Sequence, residues 1–225
     1  MTSQDPHEGR LIAIGDIHGC DKALEALIDI IQPNALDTLV ILGDFIDRGK
    51  DSRRVILLLL GLQKRCRLIT LLGNHERMLL NALDGDPSFY RMWFMYGGIE
   101  TLESYPGAEE PEDLPDAHIR FMREAPLYYE TDGFLFMHAN YLPDYELDQQ
   151  PEDMLLWASL DILDVQPHQS GKTAIVGHTP QPDGDILDLG FVKCIDTQCH
   201  GRGCLTALDV RTNEIWQADK RGEIL

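Results

Sequence analysis

The sequence has no apolar run long enough to cross a lipid bilayer, which argues against a membrane-spanning helix in these 225 residues. Positive charge is also scarce: 19 lysines and arginines stand against 38 aspartates and glutamates, and the formal net charge is −19. Because a surface this acidic repels nucleic-acid phosphates, we expect no nucleic-acid binding. A phosphorylated substrate is still compatible with the composition, since a local cationic site can override the global field.

Cysteine is rare, and the N-terminus has little apolar character. The five cysteines are an odd number, and the first ten residues, MTSQDPHEGR, contain no apolar stretch typical of a signal peptide. We therefore expect reduced thiols rather than disulfides. We also expect a soluble, cytoplasmic protein that does not contact membranes. The sequence leaves the oligomeric state open.

The remaining composition is that of an ordinary globular protein, with 44% hydrophobic and 25% charged residues. The length predicts one domain over residues 1–225. In the first third, each of three apolar runs is followed by a segment with helical spacing, which predicts βαβ units and a parallel sheet in an α/β fold. The runs are Leu11–Ile14, Thr38–Leu42 and Leu68–Leu72, and the helical segments are Asp21–Gln32, Ser52–Lys64 and Glu76–Leu83.

The rest of the chain differs from this first third. Residues 84–130 predict two helices around an acidic, proline-rich loop, which we interpret as a small helical cap inserted into the domain. Five further strands are predicted, and short turns between the last three favour antiparallel or mixed pairing. These strands are Phe134–His138, Thr173–His178, Phe191–Thr197, Cys204–Val210 and Glu214–Ala218.

Polar side chains follow the ends of five predicted strands. The three N-terminal strands lead through a glycine into Asp16, Asp44 and Asn74, and two later strands end at His138 and His178. Since ligands of α/β proteins bind at the carboxyl ends of strands, we expect these groups to converge on one edge of one sheet, together with His18.

A structural interpretation competes with this one. A single Gly-Asp after a strand is usually a turn, and a lone histidine is usually a packed one. Carboxylates gathered without a cation would, however, repel each other and raise their own pKa values. A pair of metal ions removes that conflict. The Asp/His/Asn set suits manganese, iron, zinc or nickel better than calcium.

Five motifs carry a resemblance to a known family. In order and spacing, GDIHG, GDFIDRG, GNHE, a strand-end histidine and GHT resemble the calcineurin-like metallophosphoesterases. Within that superfamily the chain is similar to the phosphoprotein phosphatase (PPP) branch, with its bacterial serine/threonine phosphatases, and in size to the compact bacteriophage lambda phosphatase. The resemblance implies an α/β fold in which helices flank a central β-sandwich of mixed sheets.

The resemblance also implies two divalent metal ions, with manganese favoured and iron, zinc or nickel as alternatives. A hydroxide shared by the ions would attack phosphorus in line. The implied ligands of the first ion are Asp16, His18 and Asp44, and those of the second are Asp44, as the bridge, with Asn74, His138 and His178.

The family's catalytic roles are carried over to three further residues. The resemblance implies that His75 protonates the leaving oxygen as a general acid. Asp47 would orient and polarise that imidazole, and Arg48 would grip the phosphate with its planar guanidinium. Pro180, two residues after His178, stands where many phosphodiesterases of the family carry another histidine, which favours the phosphatase pattern.

Two phosphate-binding arginines of phosphoprotein phosphatases are missing. Leu72 precedes GNHE, where that branch usually has arginine, and no arginine stands shortly after Trp157, where the sequence continues with Ala158 and Ser159. We consider other arginines as replacements, namely Arg53, Arg77, Arg91 and Arg202. A leucine before GNH and the tail IDT…GCLTAL also resemble the bacterial symmetrical diadenosine tetraphosphatases.

Three functions follow for the chain. The first is a phosphomonoesterase, most plausibly a serine/threonine protein phosphatase. The alternative is a diadenosine tetraphosphate (dinucleoside polyphosphate) hydrolase, and a remote third is a non-catalytic protein-binding scaffold. An aromatic cluster in the predicted cap fits packing better than base stacking; its members are Phe89, Tyr90, Trp93, Phe94 and Tyr96.

Overall fold

The computed structural model describes residues 9–225, so most of the polar N-terminal stretch used to argue against a signal peptide lies outside the described residues. Two five-stranded mixed sheets form the centre of the fold. The first sheet has the order β10-β9-β1-β2-β3 and the second the order β4-β5-β6-β8-β7. The first contains β1 (Leu11–Ile14), β2 (Thr38–Ile41), β3 (Arg67–Thr70), β9 (Cys204–Asp209) and β10 (Glu214–Asp219).

The second sheet is built entirely from the second half of the chain. Its core strands β5, β6 and β8 run parallel, and a short antiparallel strand flanks them on each side. The strands are β4 (Tyr128–Glu130), β5 (Phe134–Met137), β6 (Thr173–Val176), β7 (Leu187–Asp188) and β8 (Val192–Cys194).

The strands at the centre of each sheet, such as β1 and β5, are apolar because both faces of the sheet are covered there. In β1, Leu11 and Ala13 belong to the layer between the two sheets, whereas Ile12 and Ile14 belong to the layer under the helices. Phe136 and Ile175 bring the second sheet into the same inner layer. The predicted β-sandwich of mixed sheets is therefore confirmed.

Helices cover the outer faces. On the first sheet, α1 buries Ala23, Leu24, Leu27, Ile28 and Ile31, the residues whose helical spacing predicted it. The Asp51 side chain caps α2 by accepting the backbone N–H of Arg54 at 2.8 Å. The helices are α1 (Asp21–Ile31), α2 (Ser52–Leu62), α3 (Asn74–Leu83), α4 (Pro87–Trp93), α5 (Ile99–Glu103), α6 (Asp116–Arg123) and α7 (Glu152–Trp157).

Residues 84–130 contain more regular secondary structure than the predicted two helices and a loop. A π-helical turn, Phe94–Gly98, joins α4 to α5, and a short 3₁₀ turn, Pro111–Asp113, precedes α6. The end of this segment is β4, which pairs with β5 in the second sheet. The description of the whole segment as a cap within a single domain stays a prediction.

One topological expectation was wrong. The strand-end residues do not share one sheet, because β5 and β6 lie in the second sheet. Among the last three predicted strands, β9 and β10 are antiparallel neighbours, and β8 lies in the other sheet with one parallel and one antiparallel neighbour. Within residues 9–225, no helix has both the length and the apolar character needed to cross a bilayer.

Candidate metal and phosphate site

The carboxyl ends of strands from both sheets bring the predicted ligands together. Asp44 and Asn74 follow β2 and β3 of the first sheet, and His138 and His178 follow β5 and β6 of the second. Hydrogen-bond distances link these side chains across sequence separations of up to 104 residues. The site therefore exists only where the two sheets meet.

Asp44 stands at the centre of this group. Its Oδ1 lies 3.4 Å from His138 Nε2, and its Oδ2 lies 3.6 Å from His18 Nε2. Burial alone would raise the pKa of Asp44, but the surrounding histidines hold it below its ordinary value. The backbone adopts φ 46° at Asp44, a left-handed conformation that non-glycine residues rarely adopt. One carboxylate thus faces two separate groups of nitrogen ligands.

Backbone carbonyls set the orientation of three imidazole rings. His138 Nδ1 lies 2.8 Å from the Leu42 carbonyl, and His18 Nδ1 lies 3.0 Å from the Ile46 carbonyl. Because a carbonyl can only accept, each of these nitrogens must carry the proton, and Nε2 of the neutral ring keeps its lone pair. In His178 the two ring nitrogens exchange these roles. Its Nε2 donates to the Trp157 carbonyl at 3.1 Å, which leaves Nδ1 as the free acceptor.

The free lone pairs of His138 and His178 face one amide oxygen, whereas His18 Nε2 lies 3.1 Å from Nη1 of Arg48, which is a donor. The Oδ1 atom of Asn74 lies 2.9 Å from His138 Nε2 and 3.1 Å from His178 Nδ1. A cation bound by these three atoms would remove the repulsion between their lone pairs. Two sets of donor atoms each lie within 4.8 Å of one another and share Asp44: His18, Asp44 and His75, and Asp44, His138 and His178. The residues therefore fit a pair of divalent ions.

Asp16, the remaining predicted ligand, is not a member of either set within residues 9–225. Its two oxygens accept the backbone N–H of His178 at 3.2 and 3.1 Å. Burial raises the pKa of Asp16 well above its ordinary value, and the carboxylates of Asp196 and Asp44 raise it further. The repulsion between this buried carboxyl group and two other acids is a second indication that a cation would bind here.

Asp196 is a buried carboxylate that the sequence interpretation missed. It follows β8 by two residues, and burial raises its pKa to about 6. The strand-end rule that selected Asp16 and Asp44 applies equally to this position in the stretch VKCID. The rule could have found it, and the residue stands in the quoted tail IDT, but it was given no role there.

His75 and Asp47 form the predicted pair. His75 Nδ1 donates to Asp47 Oδ2 at 2.7 Å, and Asp47 Oδ1 accepts from Trp93 Nε1 at 3.0 Å and Thr101 Oγ1 at 2.7 Å. Burial alone would lower the pKa of His75, but Asp44 and Asp47 raise it above its ordinary value. His75 Nε2 is buried, finds no hydrogen-bond partner among residues 9–225, and lies 3.9 Å from Asp44 Oδ2. The ring can thus hold a proton beside the metal ligands.

Arg48 reaches the same centre from the turn after β2. Its Nη1 lies 3.1 Å from His18 Nε2, and its backbone N–H donates to the Gly97 carbonyl at 3.2 Å. A Cβ on Gly97 would lie 2.6 Å from the Arg48 nitrogen, so only glycine fits this contact. The loop that carries the guanidinium is therefore held by the segment between α4 and α5.

The four proposed replacement arginines do not join Arg48. Arg53, Arg91 and Arg202 are exposed, and Arg77 pairs with Glu152 at 2.9 Å. Neither of the two cavities that Arg48 lines includes any of them. The position before GNHE is also apolar and closed, since Leu72 is buried.

Glu76 of GNHE organises the turn that carries Asp44, a role that the motif alone did not reveal. Its Oε2 accepts the N–H groups of Asp44 and Gly73, and its Oε1 accepts those of Phe45 and Ile46, at 2.9–3.2 Å. Burial raises the pKa of Glu76, and Asp44 adds to this effect. Four N–H donors nevertheless leave no acceptor for a carboxyl proton, so the geometry requires the carboxylate.

We expect a Glu76→Gln variant to be destabilised by about 2–4 kcal/mol, because the amide NH₂ would face two of these N–H groups. Denaturant unfolding monitored by circular dichroism measures the loss. Glu124→Gln, at an exposed glutamate of α6's C-terminal end, is the matched control and should change stability by less than about 0.5 kcal/mol. Equal stability of the two variants would show that Glu76 is not the anchor of this turn.

Two cavities meet at Arg48. One, of about 350 Å³, is lined mainly by basic residues and includes His200; the other, of about 360 Å³, is lined by Phe94, Met95, Tyr96 and Ile99. The aromatic cluster therefore divides. Trp93 is fully buried against Asp47, as a packing role predicts, but Tyr96 is half exposed at the mouth of the second cavity.

A family model described as calcineurin-like phosphoesterase matches residues 9–208. Because the match covers most of the chain, the chain belongs to the calcineurin-like phosphoesterases. The predicted superfamily is thereby confirmed, and the prediction of a metal-dependent phosphoric ester hydrolase agrees with it. Membership does not identify the metal or the substrate.

Two curated relatives share one name. The symmetrical bis(5'-nucleosyl)-tetraphosphatase of Ralstonia nicotianae is 36% identical over 149 residues, which are 64% of this chain and 45% of that protein. The protein of the same name from Methylobacillus flagellatus is 30% identical over 138 residues, 61% of this chain and 45% of that protein. The chain thus spans less than half the length of the curated relatives it matches.

Solved structures share the fold. A structure described as a candidate diadenosine tetraphosphatase has a TM-score of 0.72 and 22% identity, over 96% of this chain and 95% of that chain. A serine/threonine phosphatase from Saccharomyces cerevisiae has a TM-score of 0.65 and 17% identity, over 92% and 75% of the two chains. These likenesses establish the architecture and leave the substrate open.

Proposed function

We propose that the protein is a metal-dependent hydrolase of dinucleoside polyphosphates. The observation that carries the proposal is the cavity beside Arg48, in whose wall Tyr96, Met95 and Ile99 are 50%, 79% and 50% exposed. Glu100 is the one acid in that wall, and we call this space the apolar cavity after its other side chains. Exposed aromatic and apolar side chains next to a phosphate-binding arginine suit a nucleoside whose base stacks on the protein while its phosphates reach the guanidinium. The names of the curated relatives support the same substrate class.

One group of residues in the site would bind the metal ions. Asp44, His18, Asn74, His138 and His178 would hold the ions, with Asp16 close by. When bound, such ions stabilise phosphoryl charge as Lewis acids and activate water as the nucleophile.

Three other residues complete the site in this proposal. His75 would donate the proton from Nε2 to the leaving oxygen, and Asp47 would orient the ring by accepting the Nδ1 proton. Arg48 would bind a phosphate oxygen through its guanidinium.

A serine/threonine protein phosphatase, the first expectation from the sequence, receives less support. Leu72 is buried where that branch usually places a phosphate-binding arginine, and the cavities at Arg48 include none of the replacement arginines. The scaffold alternative conflicts with the complete set of donor atoms around Asp44. We therefore rank dinucleotide hydrolysis first and protein dephosphorylation second. Manganese and a cytoplasmic location remain predictions.

A side-by-side assay with manganese tests the proposal, using diadenosine tetraphosphate, a phosphothreonine peptide and p-nitrophenyl phosphate. We expect kcat/KM for the dinucleotide to exceed the other two by roughly 10- to 100-fold, the advantage that stacking of one base provides. Cleavage into two equal halves, as the name of the relatives implies, would give a nucleoside diphosphate as the single nucleotide product. Preference for the phosphopeptide would overturn the proposal.

A Tyr96→Ala variant separates base binding from chemistry. We expect its kcat/KM for diadenosine tetraphosphate to fall by about 5- to 50-fold, because stacking of a base on an aromatic ring is lost. The rate with p-nitrophenyl phosphate, which has no base, should change by less than about twofold. Tyr145→Ala removes another half-exposed tyrosine that does not line this cavity and serves as the control. Equal effects on both substrates would contradict a base-binding role.

A further inference from the structure

The basic cavity beside Arg48 has an unusual composition for this chain. Five of its ten lining residues are lysine or arginine, in a protein with only 19 such residues among 225. The single acid in its wall is Asp21. The cavity is lined by Gly19, Cys20, Asp21, Lys22, Arg48, Gly49, Lys50, His200, Lys220 and Arg221. In a molecule of net charge −19, this is a local reversal of the surface charge.

The basic groups of the cavity differ in how far they are neutralised. Arg221 is paired with Asp219 and Glu223, so its charge is largely compensated. Lys220 donates one hydrogen bond to the Gly201 carbonyl at 3.0 Å, and within residues 9–225 no carboxylate forms an ion pair with it. Within residues 9–225, the ammonium groups of Lys22 and Lys50 make no hydrogen bond or ion pair.

Uncompensated cations around one cavity repel each other, and an anion relieves that repulsion. The lysines come from three separate parts of the chain: the start of α1, the turn before α2 and the turn after β10. Charges spread over three segments fit an extended, multiply charged anion better than a single phosphate group, which Arg48 alone can bind.

The cavity lies directly beside the candidate metal site. The His200 ring meets His18 edge-on with a centroid distance of 4.8 Å, and His18 meets His75 in the same way at 4.7 Å. His200 Nδ1 is buried and has no hydrogen-bond partner within the described residues. Arg48 lines this cavity and also contacts His18. An anion bound here would therefore be continuous with a phosphoryl group held at the metal ligands.

We propose that Lys22, Lys50, Lys220 and His200 form a subsite for the phosphates that lie beyond the reacting phosphoryl group. Its ligand class is a condensed phosphate chain. The inference rests on the proposed function and adds the orientation of the substrate. The substrate would extend from the apolar cavity across Arg48, and its further phosphates would lie in the basic cavity. Sequence reasoning missed the subsite because its lysines belong to no family motif.

Binding of non-hydrolysable anions tests the subsite. Calorimetric titrations of the manganese-loaded protein, at constant free manganese, compare methylenediphosphonate with methylphosphonate. We expect wild type to bind the diphosphonate at least about tenfold more tightly, and a Lys50→Gln/Lys220→Gln variant to lose roughly tenfold of that affinity, as two exposed charge-assisted contacts predict. Methylphosphonate affinity should change less than about twofold. Lys64→Gln, at an exposed lysine outside the cavity, is the control.

The outcomes distinguish this inference from the proposed function. If the double variant binds both phosphonates as wild type does, the subsite is refuted even when diadenosine tetraphosphate is a good substrate. If the diphosphonate preference is lost in the variant but the dinucleotide is not hydrolysed, the subsite stands and the substrate assignment fails. A steeper salt dependence of diphosphonate affinity in wild type than in the variant would support the charge argument, and equal slopes would oppose it.

Discussion

An Asp44→Asn variant should lose at least about a thousandfold in kcat on every phosphoester, which corresponds to roughly 4 kcal/mol of transition-state stabilisation. The reason is the position of this carboxylate between two sets of donor atoms, one toward His18 and the other toward His138. An amide has one neutral oxygen instead of two charged ones, so it cannot serve both sets. Among the residues that the structure describes, Asp44 is the one member common to both sets of donor atoms.

Metal content provides a readout that does not depend on activity. We expect elemental analysis to find close to two ions per wild-type chain after manganese loading and at most one per Asp44→Asn chain. Asp29→Asn, at an exposed aspartate of α1, makes the same chemical change far from the site and should keep both ions. Full metal content together with full activity in Asp44→Asn would contradict the proposal that Asp44 bridges the two ions.

The fold of this variant should survive, so the loss can be assigned to the site. Asp44 Oδ1 accepts the His75 backbone N–H at 3.0 Å, and an asparagine Oδ1 can accept the same bond. The N–H of residue 44 still reaches Glu76. We therefore expect the melting temperature measured with a chelator present to stay within a few degrees of wild type, whereas manganese should raise it more in wild type than in the variant, since a ligand stabilises the state that binds it.

The sequence was most informative where local pattern and chemistry coincide. The apolar runs before Asp16, Asp44 and Asn74 predicted strands, and the helical spacing after each predicted the covering helix. Asp44, Asn74, His138 and His178 were selected because ligands of α/β proteins bind at the carboxyl ends of strands. The structure brings Asn74 to hydrogen-bonding distance of both histidines and Asp44 Oδ1 to 3.4 Å from His138 Nε2. Their metal-binding role stays a prediction.

Other features depend on contacts that no local pattern encodes. β4 and β7 have three and two residues, too few for any periodicity to show. The division into two sheets puts β8 and β9 apart although only nine residues separate them. The tautomer of His138 is set by the Leu42 carbonyl, 96 positions away in the chain. His200 reaches the site through the connection between β8 and β9, which joins the two sheets and which sequence spacing could not place.

A His75→Gln variant should show the second large effect, and its size should depend on the leaving group. With phenyl phosphate, whose leaving oxygen is basic, we expect kcat to fall by about 100-fold or more, because the proton held at Nε2 is no longer delivered. With p-nitrophenyl phosphate the fall should be less than about tenfold. Glutamine is uncharged and cannot act as an acid, and Asp47→Asn, which removes the acceptor of the His75 Nδ1 proton at 2.7 Å, should reproduce the pattern more weakly.

The same variant discriminates between the two leading functions. In a dinucleoside tetraphosphate split into equal halves, the leaving oxygen belongs to a diphosphate and is weakly basic, so little protonation is needed. A phosphothreonine leaves as an alkoxide, which is strongly basic, so its hydrolysis should depend on His75 far more. If His75→Gln retains most of its diadenosine tetraphosphatase activity but loses phosphopeptide hydrolysis, the general acid acts as proposed. Equal losses on all substrates would instead give His75 the role of a metal ligand, in keeping with its 3.9 Å distance from Asp44 Oδ2.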